Sequence, residues 1–204
     1  LRPSTVMLLI TAIYFKGDWR TKFEKENTRQ ADFYTLAGPV KTDMMHIPES
    51  GFPYFGNSLF QAVDLPYGDS IFSMTVFLPN EGHDVDEIIA ELNADNWKQW
   101  IGSLQTQTVE LFLPKFKMEY DIKLKRALSD LGMEIAFSGG ADFSNMIDGG
   151  GVFIEDVIHK AFVEVNEKGT EAAAVTIVIM RETSIGLVKT VNVNRPFLFV
   201  IRDN

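Results

Sequence analysis

The sequence predicts an α+β fold made of strand-rich segments with a few helices between them. Residues 6–15 are almost all apolar, which is typical of a central strand buried on both faces. Residues 61–65 and 71–78 flank the turn Pro66-Tyr67-Gly68-Asp69 and predict a hairpin with one well-buried face. Helix signals lie apart from these strands, at Asp84 and beyond Asp121.

Further strands are expected along the chain. Short strands between residues 31 and 60 are predicted to be divided by three breaks: Gly38-Pro39, Pro48 and Gly51-Phe52-Pro53. Residues 109–116 alternate as a strand, and residues 153–165 form another that contains His159.

Three helical segments are predicted. Asp84 and Glu87 resemble a capping box that opens a helix through Ile88, Ile89 and Leu92. A second helical turn begins at Asp95 and carries Trp97 and Trp100. A short amphipathic helix over 121–131 turns Leu124, Leu128 and Leu131 inward, and Gly132 ends it.

Composition narrows the classes of protein. The 204 residues carry a net charge of −9, which disfavours binding to nucleic acid or anionic lipid. The chain has no cysteine, so disulfides, thiol catalysis and thiolate metal sites are excluded. No apolar run is long enough to span a membrane, and no signal peptide opens the chain.

Catalytic and metal sites find little support in the sequence. His46 lacks neighbouring ligands at a suitable spacing, and capping and solvation explain His83 with Asp84 and Asp86 more simply than a metal does. The glycine runs at 139–140 and 149–151 lack the Gly-Lys-Ser/Thr of a phosphate loop. The sequence contains no Gly-x-Ser-x-Gly elbow. We therefore predict no metal, no cofactor and no enzymatic activity.

The stretch from Glu167 to Thr190 has two plausible conformations. Its first part could be a helical turn, whereas residues 175–180 are β-branched and predict a strand. In a strand, Glu171 would lie on one face. The opposite face would carry only small residues: Thr170, Ala172, Ala174 and Thr176. Gly169 suits a sharp bend. This pattern fits a segment that lies outside a sheet and later enters it, or an ordinary strand preceded by a frayed helical turn.

The start of this stretch resembles the hinge of the reactive-centre loop of inhibitory serpins: Glu167-Lys168-Gly169-Thr170-Glu171-Ala172-Ala173-Ala174. Six other motifs agree with that family in order and approximate spacing: Tyr14-Phe15-Lys16-Gly17-Asp18-Trp19, Leu65-Pro66-Tyr67-Gly68, Leu113-Pro114-Lys115-Phe116, Leu131-Gly132-Met133, Ala141-Asp142-Phe143-Ser144 and Asn194-Arg195-Pro196-Phe197. The resemblance covers essentially the whole chain, and the loop is also similar to that of a bacterial member. It implies a serpin fold with large mixed sheets and peripheral helices, as one incomplete domain over 1–204.

The resemblance also implies roles for individual residues. Residues 167–190 would form the hinge and the reactive-centre loop, with a hinge of Glu167, Gly169, Thr170, Glu171, Ala172, Ala173 and Ala174. Family spacing places the reactive bond at Thr183-Ser184. Val188-Lys189 would suit an elastase-like pocket and Lys189-Thr190 a trypsin-like one, with Arg181-Glu182 a weaker basic alternative. The sheet-opening cluster would contain Thr11, His159 and Trp19, with Thr11 where the family usually has asparagine.

What the resemblance implies for function is a suicide mechanism. The loop would be cleaved by a serine protease (trypsin-like, elastase-like or subtilisin-like), with cysteine proteases as a second class, and would insert into a metastable sheet. The protein would be a secreted or cell-surface monomer. The alternative is a non-inhibitory serpin that serves as a binding, carrier or structural module. The family's N-terminal helical half and final strands are expected to be missing from this chain, which alone would expose apolar edges and aggregate.

Overall fold

The structure is a computed structural model, and it describes residues 7–146, 151–170 and 187–204. The described residues fall into two compact units. The first contains residues 7–15 and those described between 117 and 163, and the second contains residues 16–116 with those described from 164 to 204. Among the described residues, no helix has the length and apolar character needed to cross a membrane.

Strands dominate both units. The strands are β1 (Leu8–Tyr14), β2 (Gly17–Asp18), β3 (Arg29–Thr35), β4 (Gly38–Gly56), β5 (Phe60–Pro66), β6 (Phe72–Pro79), β7 (Gln105–Pro114), β8 (Phe116–Lys123), β9 (Asp156–Asn166), β10 (Gly169–Thr170), β11 (Lys189–Asn192) and β12 (Leu198–Asp203). The α-helices are α1 (Val85–Glu91), α2 (Ala94–Gly102) and α3 (Lys125–Leu128). Short 3₁₀ segments span Lys25–Asn27 and Glu134–Phe137.

The first unit is built on a parallel pair of strands. β1 pairs with β9 in continuous register from Leu8 opposite Asp156 to Tyr14 opposite Phe162, and β8 pairs with β9 as well. A small core of Phe137, Ile154 and Val157 packs against Met7, Leu124, Leu128, Ala136 and Phe143.

The prediction that residues 6–15 are buried on both faces is wrong for the described part of this strand. Ile10 and Ile13 are each 60% exposed. The core residues described for this unit lie near Met7 and Val157, and residues 9–13 of β1 are exposed in the described structure.

The helix predicted over 121–131 is confirmed only from residue 125 onward. β8 continues to Lys123, α3 spans Lys125–Leu128, and a π-helical segment follows over Ser129–Met133. Residues 117–123 alternate charged with apolar or aromatic side chains, which is the period of a strand. Leu124 and Leu128 do pack inward, but Leu131 is 81% exposed. Gly132 breaks the helical conformation with φ +98°.

The second unit contains a seven-stranded sheet in the order β11-β7-β4-β5-β6-β12, with β3 paired to β4. The predicted hairpin is confirmed, because β5 and β6 pair antiparallel from Phe60 opposite Pro79 to Pro66 opposite Ser73. The short strands predicted between residues 31 and 60 are instead β3 and one long strand, β4. A register shift between Ile47 and Ser50 accommodates Pro48 within that strand.

Two helices pack against this sheet. The predicted cap of α1 is confirmed, since the Asp84 carboxylate accepts from the Glu87 amide at 3.0 Å. Of its predicted apolar face only Ile88 is buried, and Ile89 is 49% exposed. The cap of α2 is Asn93 and not Asp95, because the Asn93 side chain accepts from the amides of residues 95 and 96. The buried core here consists of Phe60, Ala62, Phe77, Ile88 and Trp100.

Both faces of β6 are buried, whereas the sequence predicted one. Ser73 and Thr75 have no exposed surface, because their hydroxyls donate to the buried carboxylate of Asp64 at 3.0 and 2.5 Å. The Arg202 guanidinium on β12 donates to the same carboxylate at 3.2 Å. The polar face is therefore buried because it is internally hydrogen-bonded.

Asp64→Ala tests this network. We expect a loss of about 3–5 kcal/mol in the free energy of unfolding, because the variant removes the carboxylate partner of the Arg202 charge and the acceptor of the buried Thr75 hydroxyl, whereas Ser73 can still donate to the Asn204 side chain at 3.0 Å. Urea titration measures the loss. Asp32→Ala is the control, because Asp32 pairs with Lys41 at an exposed position, and it should lose less than about 1 kcal/mol. Equal losses in the two variants would contradict the assignment.

Candidate functional site at the base of the hinge

The hinge starts as a tight reversal at the end of β9. The Lys168 amide donates to the Asn166 side chain at 3.0 Å, and the chain then returns as β10. Gly169 lies opposite Asn166 and Thr170 opposite Val165 on β9, and the same two residues pair with Asp18 and Gly17 on β2. Gly169 and Thr170 of the hinge therefore already lie between two strands, antiparallel to both.

Gly169 is required at this position for two reasons. Its φ is +148°, a conformation that L side chains rarely adopt. A Cβ built on Gly169 would also lie 2.1 Å from the Gly17 carbonyl oxygen and 2.7 Å from the Asp18 Cα, and both are backbone atoms that cannot move aside. The close approach of β10 to β2 therefore depends on glycine at this point.

Thr170 is held by an aromatic pair. Its side chain is 1% exposed, and its hydroxyl lies 2.9 Å from the Tyr67 hydroxyl. Tyr67 stacks on Trp19 with ring centroids 4.5 Å apart, and the Trp19 indole donates to the Asn166 carbonyl at 2.9 Å. Burial raises the pKa of Tyr67 well above its ordinary value, which outweighs the lowering effect of the Thr170 hydrogen bond, so the phenol stays protonated.

Glu167 is a buried carboxylate with two side-chain partners. The Thr28 hydroxyl donates to it at 3.0 Å, and the Lys115 ammonium lies 3.2 Å away. Burial alone would raise the pKa of Glu167. Hydrogen bonds from its own backbone, from Thr28 and from Lys115, together with the Lys115 charge, outweigh burial and hold that pKa below its ordinary value. Glu167 is therefore ionised at neutral pH.

The predicted sheet-opening residues fall into two groups. Thr11 and His159 lie opposite each other in the first unit, and the Thr11 hydroxyl is 2.9 Å from His159 Nδ1. Thr11 is exposed and His159 half-buried. Trp19 belongs to the second unit, where its contacts are with Tyr67, Phe23 and Asn166. The other predicted site residues Glu171, Ala172, Ala173, Ala174, Thr183 and Ser184 lie outside the described residues.

The structure adds three residues that the sequence analysis did not assign to the site: Tyr67, Thr28 and Lys115. Tyr67 and Lys115 occur in two of the motifs quoted above, and those motifs were the available signal for them. Thr28 lies in none of these motifs, so nothing in the sequence pointed to it. Its role depends on a contact between residues 139 positions apart in the chain.

The other two histidines, His46 and His83, each contact a neighbouring glutamate. His46 stacks on Phe112 and lies 3.2 Å from Glu110, and His83 bonds Glu87 at 2.7 Å. Within the described ranges, no group of three or more metal-ligating side chains comes together.

Comparison with known proteins identifies the family. A family model described as "Serpin (serine protease inhibitor)" matches residues 1–204, and the chain belongs to the serpin family. It is 36% identical over 206 residues to human Serpin I2, covering 99% of this chain and 51% of that protein. The family description names inhibitors and not enzymes, which agrees with the prediction of no enzymatic activity.

Solved structures agree with the fold. The chain is similar to the thermophilic serpin tengpin in its native state, with a TM-score of 0.82 and 36% identity. It is also similar to human thyroxine-binding globulin complexed with thyroxine, with a TM-score of 0.86 and 28% identity. Each comparison covers all of this chain, and 53% and 54% of the two solved chains. The predicted serpin fold with mixed sheets and few helices is therefore confirmed, and the chain spans about half the length of the relatives it matches.

Family membership does not fix the cellular location. One relative, from Tachypleus tridentatus, is named Intracellular coagulation inhibitor 2. It is 37% identical over 98% of this chain and 50% of its own length.

The charge of Glu167 gives a testable pH dependence. Because the pKa of Glu167 is lowered in the folded protein, its ionised form stabilises the fold above the unfolded glutamate pKa of about 4.3, and this contribution is lost as pH falls through the lower folded value. Glu167→Gln should therefore lower the thermal midpoint at pH 7, and the difference from wild type should shrink below about pH 4.

Glu119→Gln is the matched control for this experiment. Glu119 pairs with Lys117 at 3.2 Å, but its side chain is 70% exposed, so its thermal midpoint should stay close to wild type throughout. A Glu167→Gln deficit that is the same at pH 7 and pH 3.5 would show that the carboxylate charge is not what stabilises the hinge base.

Proposed function

We propose that the protein containing this chain is a suicide inhibitor of serine proteases. The observation that carries the proposal is the docked start of the hinge, where Gly169 and Thr170 already lie as a strand against β9. The small residues that follow in the sequence suit further entry into a sheet. Strand addition of a serpin loop is a known form of β-augmentation, and this established mechanism is the template for the proposal.

The covalent step would take place at Thr183-Ser184. The protease serine oxygen would attack the Thr183 carbonyl and form an ester. The peptide bond to Ser184 would break, and the new amino terminus would leave with the proton passed on by the protease histidine. The segment from Gly169 to Thr183 would then be free at one end, with the protease attached.

The register of β10 predicts how far insertion would go. The pairs Gly169–Asn166 and Thr170–Val165 belong to one antiparallel register. If this register continued along β9, residues 171–179 would pair with residues 164–156. This pairing would end where β9 begins and would leave residues 180–183 as a short tether to the protease. The direct pairing of β1 with β9 would have to open first, since these are the strands that insertion would separate.

The same register accounts for the small side chains. Thr170, Ala172 and Ala174 would face the side of β9 that carries Val165, Val163 and Ala161. Thr176 would come opposite His159, which the Thr11 hydroxyl now contacts at 2.9 Å. The Thr176 hydroxyl would thus replace the Thr11 hydroxyl beside His159, so His159 would keep a hydrogen-bond partner after insertion. Each new backbone hydrogen bond would contribute about 1 kcal/mol, which favours the inserted state.

The proposed targets are trypsin-like, elastase-like or subtilisin-like serine proteases, with cysteine proteases as a second class. The bond they cleave is proposed to be Thr183-Ser184, with Val188-Lys189 and Lys189-Thr190 as alternatives. The inhibitor is proposed to be a monomer that is secreted or held at the cell surface, where it would meet extracellular proteases.

Thr170→Arg in the full-length protein tests the mechanism. Thr170 is 1% exposed, so an arginine there would place a charge in the sheet, which costs several kcal/mol. We expect at least a tenfold loss of SDS-resistant complex with protease, while loop cleavage continues. Thr106→Arg is the control, because Thr106 is exposed on β7, and it should form complex normally. Undiminished complex with Thr170→Arg would refute insertion through this hinge.

The second candidate is a non-inhibitory carrier, favoured by the similarity to thyroxine-binding globulin. Thr170 and the three alanines that follow speak against it, because bulky or charged hinge residues would be expected if insertion were not required.

Thermal melting of the nicked protein separates the two candidates. If cleavage allows insertion, the nicked protein gains a strand, and its thermal midpoint should rise by at least 10 °C over the intact protein, because several kcal/mol shift the midpoint of a large domain by this much. An unchanged midpoint after complete loop cleavage would favour the carrier. The Thr170→Arg variant, once nicked, should gain less than wild type.

A further inference from the structure

Residues 189 and 190, at the end of the predicted loop, already belong to a paired strand that the sequence analysis did not predict. β11 pairs in parallel with β7, with Lys189 opposite Val109 and Thr190 opposite Glu110. Side chains alternate along a strand, so Lys189 lies on the same face as Val191, which has no exposed surface, and Thr190 lies on the opposite, exposed face. The basic side chain nearest the end of the loop is therefore turned towards the inner face of the sheet.

A carboxylate joins three strands on the outer face. One oxygen of Glu110 on β7 lies 3.2 Å from His46 Nε2 on β4, and the other accepts from the Thr190 hydroxyl on β11 at 3.3 Å. The His46 ring is fixed by stacking on Phe112, with centroids 4.2 Å apart and an angle of 5° between the planes. We call this set of contacts between Glu110, His46 and Thr190 the Glu110 clasp.

Cleavage at Lys189-Thr190 requires this arrangement to open. A protease binds its substrate as an extended chain in its own cleft, with residues on both sides of the scissile bond free of other pairing. Residues 189–192 are paired with β7, and the Lys189 side chain must turn outward to reach a specificity pocket. Proteolysis of such a segment follows the population of the locally opened state.

We propose that the Glu110 clasp controls the cleavage of the Lys189-Thr190 bond by trypsin-like proteases. The contact between Glu110 and Thr190 lowers the population in which the start of β11 is detached, and His46 holds the carboxylate in place. The clasp thereby determines how proteolysis divides between this bond and bonds earlier in the loop. This inference rests on the proposed function for its partner, a protease that accepts lysine at the cleaved bond.

The experiment compares Glu110→Ala with wild type in the full-length protein. Each protein is treated briefly with trypsin, and mass spectrometry follows the peptide that begins at Thr190. Loss of one hydrogen-bond acceptor should increase the rate of cleavage at Lys189-Thr190 about three- to tenfold. Glu110→Gln keeps a carbonyl acceptor for Thr190 and should give a smaller increase.

Glu87→Ala is the matched control, since Glu87 on α1 forms a similar pair with the preceding His83 at 2.7 Å and belongs to a different part of the described structure from Thr190. Its rate of cleavage at Lys189-Thr190 should equal that of wild type. If Glu110→Ala does not fold, His46→Ala provides the same test with a smaller expected increase. Hydrogen exchange of the peptide containing residues 189–192 should increase in parallel with cleavage.

Equal cleavage at Lys189-Thr190 in wild type and in a folded clasp variant would overturn the proposal, and so would an equal increase in Glu87→Ala. These outcomes are independent of inhibition, because mapping the cut does not require a covalent complex. Failure of every variant and of wild type to form an SDS-resistant complex would refute the proposed function, while the cleavage rates would still report on the clasp.

Discussion

The absence of a side chain at Gly169 is the constraint on which the hinge depends. β10 approaches β2 so closely that a Cβ would lie 2.1 Å from the Gly17 carbonyl oxygen. This approach lets the chain reverse after β9 and pair on both sides at once. The Tyr67-Thr170 contact, the Trp19-Tyr67 stack and the Glu167 contacts surround this reversal, and each brings a residue distant in sequence to it.

Burial of polar groups around the hinge is tolerated because each has a partner. Among the described residues, no buried side-chain nitrogen or oxygen atom is without a hydrogen bond. Glu167 and Thr170 are therefore stable in the docked position, although both are almost fully buried. The hinge base is held by specific contacts of buried groups, and a substitution that removes one partner leaves the other unsatisfied.

The sequence predicted the parts of this site that have local signals. Gly169 and Thr170 stand out from the pattern of small residues. Tyr67, Thr28 and Lys115 were not assigned, because their roles arise from pairings across 52 to 139 positions that no local pattern encodes. Residues 121–123 were predicted as helix but belong to β8. The helical spacing of the leucines at 124, 128 and 131 led to that prediction, although the residues before them alternate as in a strand. The burial of Ser73 and Thr75 depends on Asp64 and Arg202, which a pattern of alternating polarity cannot reveal.

The two ends of the loop are anchored by different kinds of contact. Upstream, the Glu167 side chain is 7% exposed, whereas the Glu110 side chain downstream is 34% exposed. Contacts between buried groups cost more to break than exposed ones, which solvent screens. The upstream anchor need not break for the loop to enter a sheet, because β10 already has the antiparallel register that further pairing would continue. The downstream anchor must open only for cleavage at Lys189-Thr190, and its exposure makes that opening the easier event. Under the proposed mechanism the loop would therefore extend from its firmly held upstream end, and the downstream anchor would affect only which bond is cleaved.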